Sequence, residues 1–110
     1  MNVESLRSYC LGKEGATEDL PFGADALAIR VADRMFALIK IGRGALSVNL
    51  KCDPALAVEL RKKYPSVTPG YHMNKTHWNT VALDGSIPDG EIRDMIDHSY
   101  EMVLKGLKKG

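Results

Sequence analysis

The sequence predicts one domain, residues 1–110, of the α+β class: a two-layer sandwich in which helices cover an antiparallel sheet, in the order α-βββ-α-ββ-α. Apolar residues that alternate with polar ones mark short strands, and apolar residues three or four positions apart mark helices. A length of 110 residues, with 45% hydrophobic and 26% charged residues, is typical of one soluble globular domain.

The first quarter of the chain predicts a short helix and then a strand. Asn2 is a good N-cap for a helix from residue 3 to about residue 11, and Gly12 is a good place for it to end. Residues 13–25 carry no periodic pattern and are predicted to form a loop. Apolar residues alternate over 27–31, which predicts the first strand.

The middle of the chain predicts two more strands and a helix. The run MFALIKI (35–41) and the alternating ALSVNLK (45–51) flank the glycine-rich turn at 42–44, as in an antiparallel hairpin. Asp53 followed by Pro54 is a strong helix start, and the helical pattern continues until Pro65 ends it.

The last part of the chain predicts two strands and a long helix. Residues 67–72 are predicted to form a short strand that Pro69 and Gly70 interrupt, and residues 78–83 are predicted to form a clearer one. After Pro88, apolar residues recur at helical spacing to residue 107, and this stripe is expected to cover the sheet.

The cysteines and the hydropathy pattern predict a cytoplasmic protein. Cys10 and Cys52 have no CxxC spacing and lie in apolar patterns, as expected of reduced thiols. The chain contains no run of about 18 apolar residues that could span a bilayer, so no membrane partner is expected.

Charge is distributed unevenly along the chain. Residues 35–81 contain seven basic residues and two acidic ones, whereas both flanking segments are net acidic. Such a basic band attracts a polyanion if its side chains share one face of the protein. The alternative interpretation is an ordinary solvated surface of mixed charge.

Four blocks of sequence carry a resemblance to a known family: LPFG (20–23), VNLKCDPALAVELRKKYP (48–65), PGYHMNKTHWNTV (69–81) and DHSYEMV (97–103). In this order they resemble the MmcQ/YjbR-like family. The resemblance implies a compact α+β fold similar to CyaY and to secretion chaperones, and DNA binding through a proposed double-wing motif. It implies no catalytic residues.

These observations lead to a hypothesis of a small non-enzymatic domain that binds DNA. The candidate phosphate contacts are Arg43, Arg61, Lys62, Lys63 and Lys75, and the candidate stacking or polar contacts are Tyr71, His72, His77 and Trp78. Structural roles compete with this hypothesis, because the cations at 61–63 also suit the C-terminal end of a helix. Aromatic residues at strand ends are commonly packing residues, and Asn74 suits a turn.

The remaining function classes are either unsupported or left as alternatives. His72 and His77 would point to opposite faces of a strand and have no acid or cysteine at ligand spacing, so no metal, cofactor or catalytic residue is predicted. One alternative is a protein-interaction or chaperone-like adaptor that uses the sheet or the edge of the strand at 67–72. The other is a small-molecule site lined by Tyr71, His72 and Trp78. The oligomeric state is left open.

Overall fold

A computed structural model describes residues 1–21, 23–42, 45–71 and 73–108, which form three helices and a six-stranded antiparallel sheet. The helices are α1 (Val3–Leu11), α2 (Pro54–Lys63) and α3 (Asp89–Lys108). The strands are β1 (Ala16–Asp19), β2 (Ala26–Val31), β3 (Arg34–Gly42), β4 (Ala45–Lys51), β5 (Val67–Pro69) and β6 (Trp78–Ala82). Their order in the sheet is β1-β2-β3-β4-β6-β5. The predicted α+β class is confirmed.

The predicted helix starts are confirmed in detail. The side chain of Asn2 accepts a hydrogen bond from the backbone N–H of Ser5, whose hydroxyl in turn accepts one from the N–H of Asn2. Asp53 caps α2 through hydrogen bonds from two backbone N–H groups, and Pro54 occupies the first helical position. Within the described residues, no helix has both the length and the apolar character needed to span a bilayer.

One strand was missing from the predicted order. Residues 16–19, predicted as part of a loop, form the edge strand β1, so four strands precede α2 instead of three. β1 is mostly exposed and is held by its pairing with β2 and by ion pairs. Glu18 bonds Arg7 of α1 at 2.7 Å, and Asp19 bonds Arg30 of β2 at 2.9 Å.

A β-bulge in β3 joins the sheet to α3. Ile29 pairs with Ala37 and Arg30 pairs with Met35, so Phe36 is the extra residue, and both it and Ala37 belong to the main core. The hydroxyl of Ser99 in α3, which is fully buried, donates to the carbonyl of Phe36 at 2.5 Å. The same hydroxyl accepts from the N–H of Lys51 at 2.9 Å. One α3 side chain thereby bonds two strands.

The two faces of the sheet have different surroundings. One face carries Ile39, Val48 and Val81, which form the main core with residues of α1 and α3; we call it the helix face. The other, the outer face, carries the cross-strand row Leu38, Asn49, Thr80 and Thr68 and its same-side neighbours along each strand. Leu38 belongs to a small second cluster to which no described helix residue contributes.

Candidate functional site

The loop of residues 70–77, which joins β5 to β6, is anchored on the outer face by a small polar network. The Thr80 hydroxyl donates to Asn49 Oδ1 at 2.6 Å and accepts from the N–H of Tyr71 at 2.9 Å. Asn49 Nδ2 donates to the carbonyl of Tyr71 at 3.2 Å. Asn49 is fully buried, and these bonds give both the oxygen and the nitrogen of its side-chain amide a partner. The backbone of Tyr71 is therefore fixed at both its N–H and its C=O.

Two other residues of the loop are explained by its geometry. A Cβ at Gly70 would lie 2.7 Å from Cβ of Trp78 and 3.0 Å from its carbonyl oxygen, so any larger residue would force the loop away from β6. Asn74 Oδ1 accepts from the N–H of Thr76 at 2.9 Å and from that of His77 at 3.2 Å. Its side chain therefore builds the turn, in agreement with the structural role proposed from sequence.

The far end of the loop is held by α2. Arg61 Nε donates to Asn79 Oδ1 at 2.8 Å, and Arg61 Nη2 donates to the carbonyl of Lys75. Asn79 is only 2% exposed and donates in turn to the carbonyl of Ala57. The Lys75 ammonium reaches back to the carbonyl of Gly70 at 3.0 Å. Arg61 and Lys75, two of the five cations predicted to contact phosphate, are thus engaged in holding the loop together.

The ring of Tyr71 is the main apolar group that this network presents to solvent. Tyr71 is 60% exposed, although its backbone is anchored on both sides. The Lys40 ammonium lies 4.6 Å from the centroid of its ring, within the range of a cation–π contact. Lys40 projects from the outer face because it lies two positions from Leu38 in β3.

Further side chains on this face suit contacts with a polar, charged ligand. Lys51 lies two positions from Asn49 and pairs with Trp78, and strand alternation places both side chains on the outer face. Ser47 and Thr68 add hydroxyl groups to the same surface. Within the described residues, neither Lys40 nor Lys51 forms a salt bridge.

The residues predicted from sequence do not gather on one surface. Lys62 and Lys63 lie on α2, whose Arg61 contacts the helix-face residue Asn79. Both lysines are exposed, and Lys63 bonds Glu91 of α3 at 3.1 Å. His77 is exposed next to the start of β6. The remaining candidates, Arg43 and His72, lie outside the described residues.

Two residues of the outer face were absent from the predicted site. Lys40 and Lys51 were counted only in the basic band, although strand alternation could have placed them with Asn49 on one face. The position of Tyr71 over β3 had no such signal, because it depends on the backbone path of the loop. For metal binding, no group of three His, Cys, Asp or Glu side chains with suitable positions occurs in the part of the chain that the structure describes.

The fold and this surface define a class of protein: a small α+β domain with helices on one face of an antiparallel sheet and an aromatic and basic loop on the other. The family model YjbR matches residues 11–102 of the chain. The chain belongs to the YjbR family.

Relatives and solved structures agree with this assignment. The chain is 39% identical over 104 residues to the uncharacterized protein YjbR of Escherichia coli (strain K12), covering 94% of this chain and 88% of that protein. It is 38% identical over 89 residues to the uncharacterized protein YbdF of Escherichia coli O157:H7, covering 81% of this chain and 73% of that one. The crystal structure of the Deinococcus radiodurans protein DR2400 superposes with a TM-score of 0.89 at 39% identity, covering 94% of this chain and 79% of that one.

Proposed function

We propose that this chain is a non-enzymatic binding domain whose outer sheet face binds single-stranded DNA. The observation that carries the proposal is the Tyr71 ring, exposed on a fixed backbone with the Lys40 ammonium 4.6 Å from its centroid. A base can stack on such a ring, and the adjacent ammonium can contact a phosphate. The binding surface is the outer face with Tyr71, Lys40, Lys51 and Trp78.

The anchored backbone of Tyr71 favours binding because it lowers the entropic cost of ordering the contact residue. A tyrosine on a mobile loop loses backbone freedom when a ligand orders it, at a cost of about 1–2 kcal/mol per residue. The hydrogen bond that the Tyr71 N–H donates to the Thr80 hydroxyl, and the one that its carbonyl accepts from Asn49, have already fixed this backbone in the unbound protein. More of the stacking energy is then available for affinity.

The lysines of the outer face also support the binding of a polyanion there. α3 contains five acidic residues, Asp89, Glu91, Asp94, Asp97 and Glu101, and packs against the helix face. Three of these carboxylates form salt bridges, and α2 and α3 also carry basic residues, so the helix side is of mixed charge. On the outer face, Lys40 and Lys51 form no salt bridge within the described residues and can attract a phosphate. Base stacking requires unpaired bases, which is why single-stranded DNA fits this surface better than duplex.

The alternative of a protein adaptor that adds a strand to the sheet edge receives less support. β5, the edge strand in question, spans three residues and ends in Pro69, which has no N–H to offer a partner strand. At the opposite edge, β1 carries the charged residues Glu18 and Asp19, both held in ion pairs. Short, charged or proline-containing edges disfavour strand addition.

The test is a titration of labelled single-stranded and duplex oligonucleotides, followed by fluorescence anisotropy at several salt concentrations. Two phosphate contacts give a slope of log affinity against log salt of about −1.4 for a single strand. The chain has one tryptophan, Trp78, on the same face, so its intrinsic fluorescence should change on binding. Absence of single-strand binding at about 50 mM salt would exclude the proposal.

Two matched pairs of variants locate the surface. Tyr71→Leu should weaken binding by about 1–3 kcal/mol because the stacking platform is lost, whereas Tyr71→Phe should retain most of the affinity. Lys40→Gln should reduce both the affinity and the salt slope, whereas Lys62→Gln, which removes the same charge from α2, should change neither. An equal effect of the two lysine variants would show that only overall charge matters, and would refute the assigned surface.

A further inference from the structure

A cleft lies between α2 and α3 on the helix face, on the opposite side of the sheet from Tyr71. The start of α2 is tied to α3 by the N–H of Asp53, which donates to His98 Nε2 at 3.0 Å. Its end is tied by Lys63 and Tyr64, which both bond the carboxylate of Glu91. The two helices therefore run antiparallel, with polar bonds at both ends of the space between them.

The space between these bonds is an apolar cavity of about 150 Å³. Leu50 and Val81 of the sheet form its floor, and Leu56, Leu60 and Met95 of the helices form its walls. A buried apolar cavity of roughly this volume accommodates benzene in another protein. The aromatic residues expected from sequence to line a pocket, Tyr71 and Trp78, do not border this cavity.

The polar groups around the cavity leave one carboxylate unbalanced. Glu91 is neutralised by Lys63, and hydrogen bonds from Tyr64 and Lys63 lower the pKa of its carboxyl. Asp94, one turn further along α3, borders the cavity, is exposed, and has no hydrogen-bond or ion-pair partner in the described part of the chain. Lys51 also borders the cavity, but strand alternation directs its side chain to the outer face.

His98, which also borders the cavity, adds no positive charge there. Burial lowers the pKa of His98, and its Nε2 accepts the hydrogen bond from Asp53, so the ring is neutral with its proton on Nδ1. Of the acidic side chains that border the cavity, Glu91 is paired with Lys63, whereas Asp94 has no partner within the described residues. A ligand with a cationic group beside Asp94 and an apolar group against Leu50, Leu56 and Leu60 would contact both the charged and the apolar parts of the cleft.

We propose that this cleft binds a small organic cation with a single apolar ring, of the arylalkylamine class. The ring occupies the cavity over Leu50 and Val81, and the ammonium group pairs with Asp94 at the mouth. The site is separate from the proposed nucleic-acid surface, since the sheet lies between them.

The experiment is a titration of the full chain with three benzyl compounds of similar shape: benzylamine, benzyl alcohol and phenylacetate. Binding is followed by backbone amide chemical shifts in NMR, which also locate the ligand. Benzylamine should bind most tightly and phenylacetate least. The amides of Leu50, Leu56 and Met95 should shift, whereas those of the outer face should not.

Two variants with matched controls complete the test. Asp94→Asn should lower the affinity for benzylamine roughly fivefold, as expected for an ion pair near the surface, and leave the affinity for benzyl alcohol unchanged. Glu59→Gln should change neither affinity, because it removes an exposed α2 carboxylate that does not border the cavity. Leu56→Trp should block all three ligands, whereas Val58→Trp, on an exposed α2 position that does not border the cavity, should not.

Three results would overturn the proposal. The first is no shift with any compound up to ~10 mM. The second is equal affinity for amine, alcohol and carboxylate, which would mean an unselective apolar void. The third is unchanged benzylamine binding by a folded Leu56→Trp variant, which would place the ligand elsewhere.

Discussion

Arg61→Met separates the structural role of this arginine from the phosphate-binding role that the sequence suggested. Methionine keeps an unbranched side chain of similar reach but removes every hydrogen-bond donor. The structure predicts that the variant loses stability, because the bonds to Asn79 and to the carbonyl of Lys75 disappear. A phosphate-contact role predicts unchanged stability with weaker DNA binding.

The two lost hydrogen bonds contribute unequally. Asn79 is 2% exposed, so its Oδ1 loses a charged donor and cannot be solvated by bulk water. The carbonyl of Lys75 lies in an exposed part of the loop and can bond to water instead. Together these give a destabilisation of about 2–3 kcal/mol, most of it from the buried amide. For a domain of this size, that corresponds to a fall in Tm of roughly 10 °C.

The assay is urea or thermal unfolding of wild type, Arg61→Met and the adjacent control Lys62→Met. Lys62 is exposed and forms no hydrogen bond or ion pair within the described residues, so its variant removes the same charge without the bonds. The control should stay within about 0.5 kcal/mol of wild type. If Arg61→Met is as stable as the control, the arginine does not hold the loop.

Three further predictions concern the fold around the two sites. Ser99→Ala should lower the free energy of unfolding by about 2–4 kcal/mol in urea, because a buried carbonyl and a strand N–H both lose their partner. A loss of stability no larger than that of Ser8→Ala, at an exposed position, would contradict this prediction. Gly70→Ala should lower the free energy of unfolding by about 1–3 kcal/mol because the added Cβ clashes with Trp78, and it should shift the fluorescence emission of that single tryptophan. An unchanged emission spectrum and Tm would show that the loop accommodates the methyl group. At pH 8 both thiols should react slowly with alkylating reagents, because burial raises the pKa of Cys10 to about 12 and that of Cys52 to about 11. Roughly one Cys52 thiol in a thousand is then ionised in the folded state, so labelling at the rate of the urea-unfolded chain would contradict the burial of these residues.

The elements that the sequence predicted well are those with a strong local signal. α2 begins with the Asp53–Pro54 pair, and the alternating apolar residues of β2 and β4 face a core that requires them. β1 lacked such a signal because three of its four residues are exposed. Its stability comes from backbone pairing and from ion pairs to α1 and β2, which a hydrophobic pattern does not report.

The candidate site was predicted less well than the fold for a related reason. Arg61, Lys75 and Tyr71 were all predicted as nucleic-acid contacts from their residue types, but their roles depend on which groups lie within hydrogen-bond distance. Arg61 reaches Asn79 from another element, eighteen positions away. Tyr71 meets Lys40 across a longer separation along the chain. Such contacts are set by the path of the loop over the sheet, and spacing in the sequence does not encode it.

The distinctive residues of segment 69–81 therefore serve mainly to build a loop with an unusual path. Gly70 permits the loop to approach β6 closely, and the side chain of Asn74 accepts the hydrogen bonds that close the turn. Asn79 accepts a hydrogen bond from the arginine of α2, Arg61. These contacts together hold Tyr71 on the outer face with its ring exposed. A variant that changes the Tyr71 ring should thus weaken binding while the hydrogen bonds to its backbone remain, and a variant that breaks the network should lower both binding and stability.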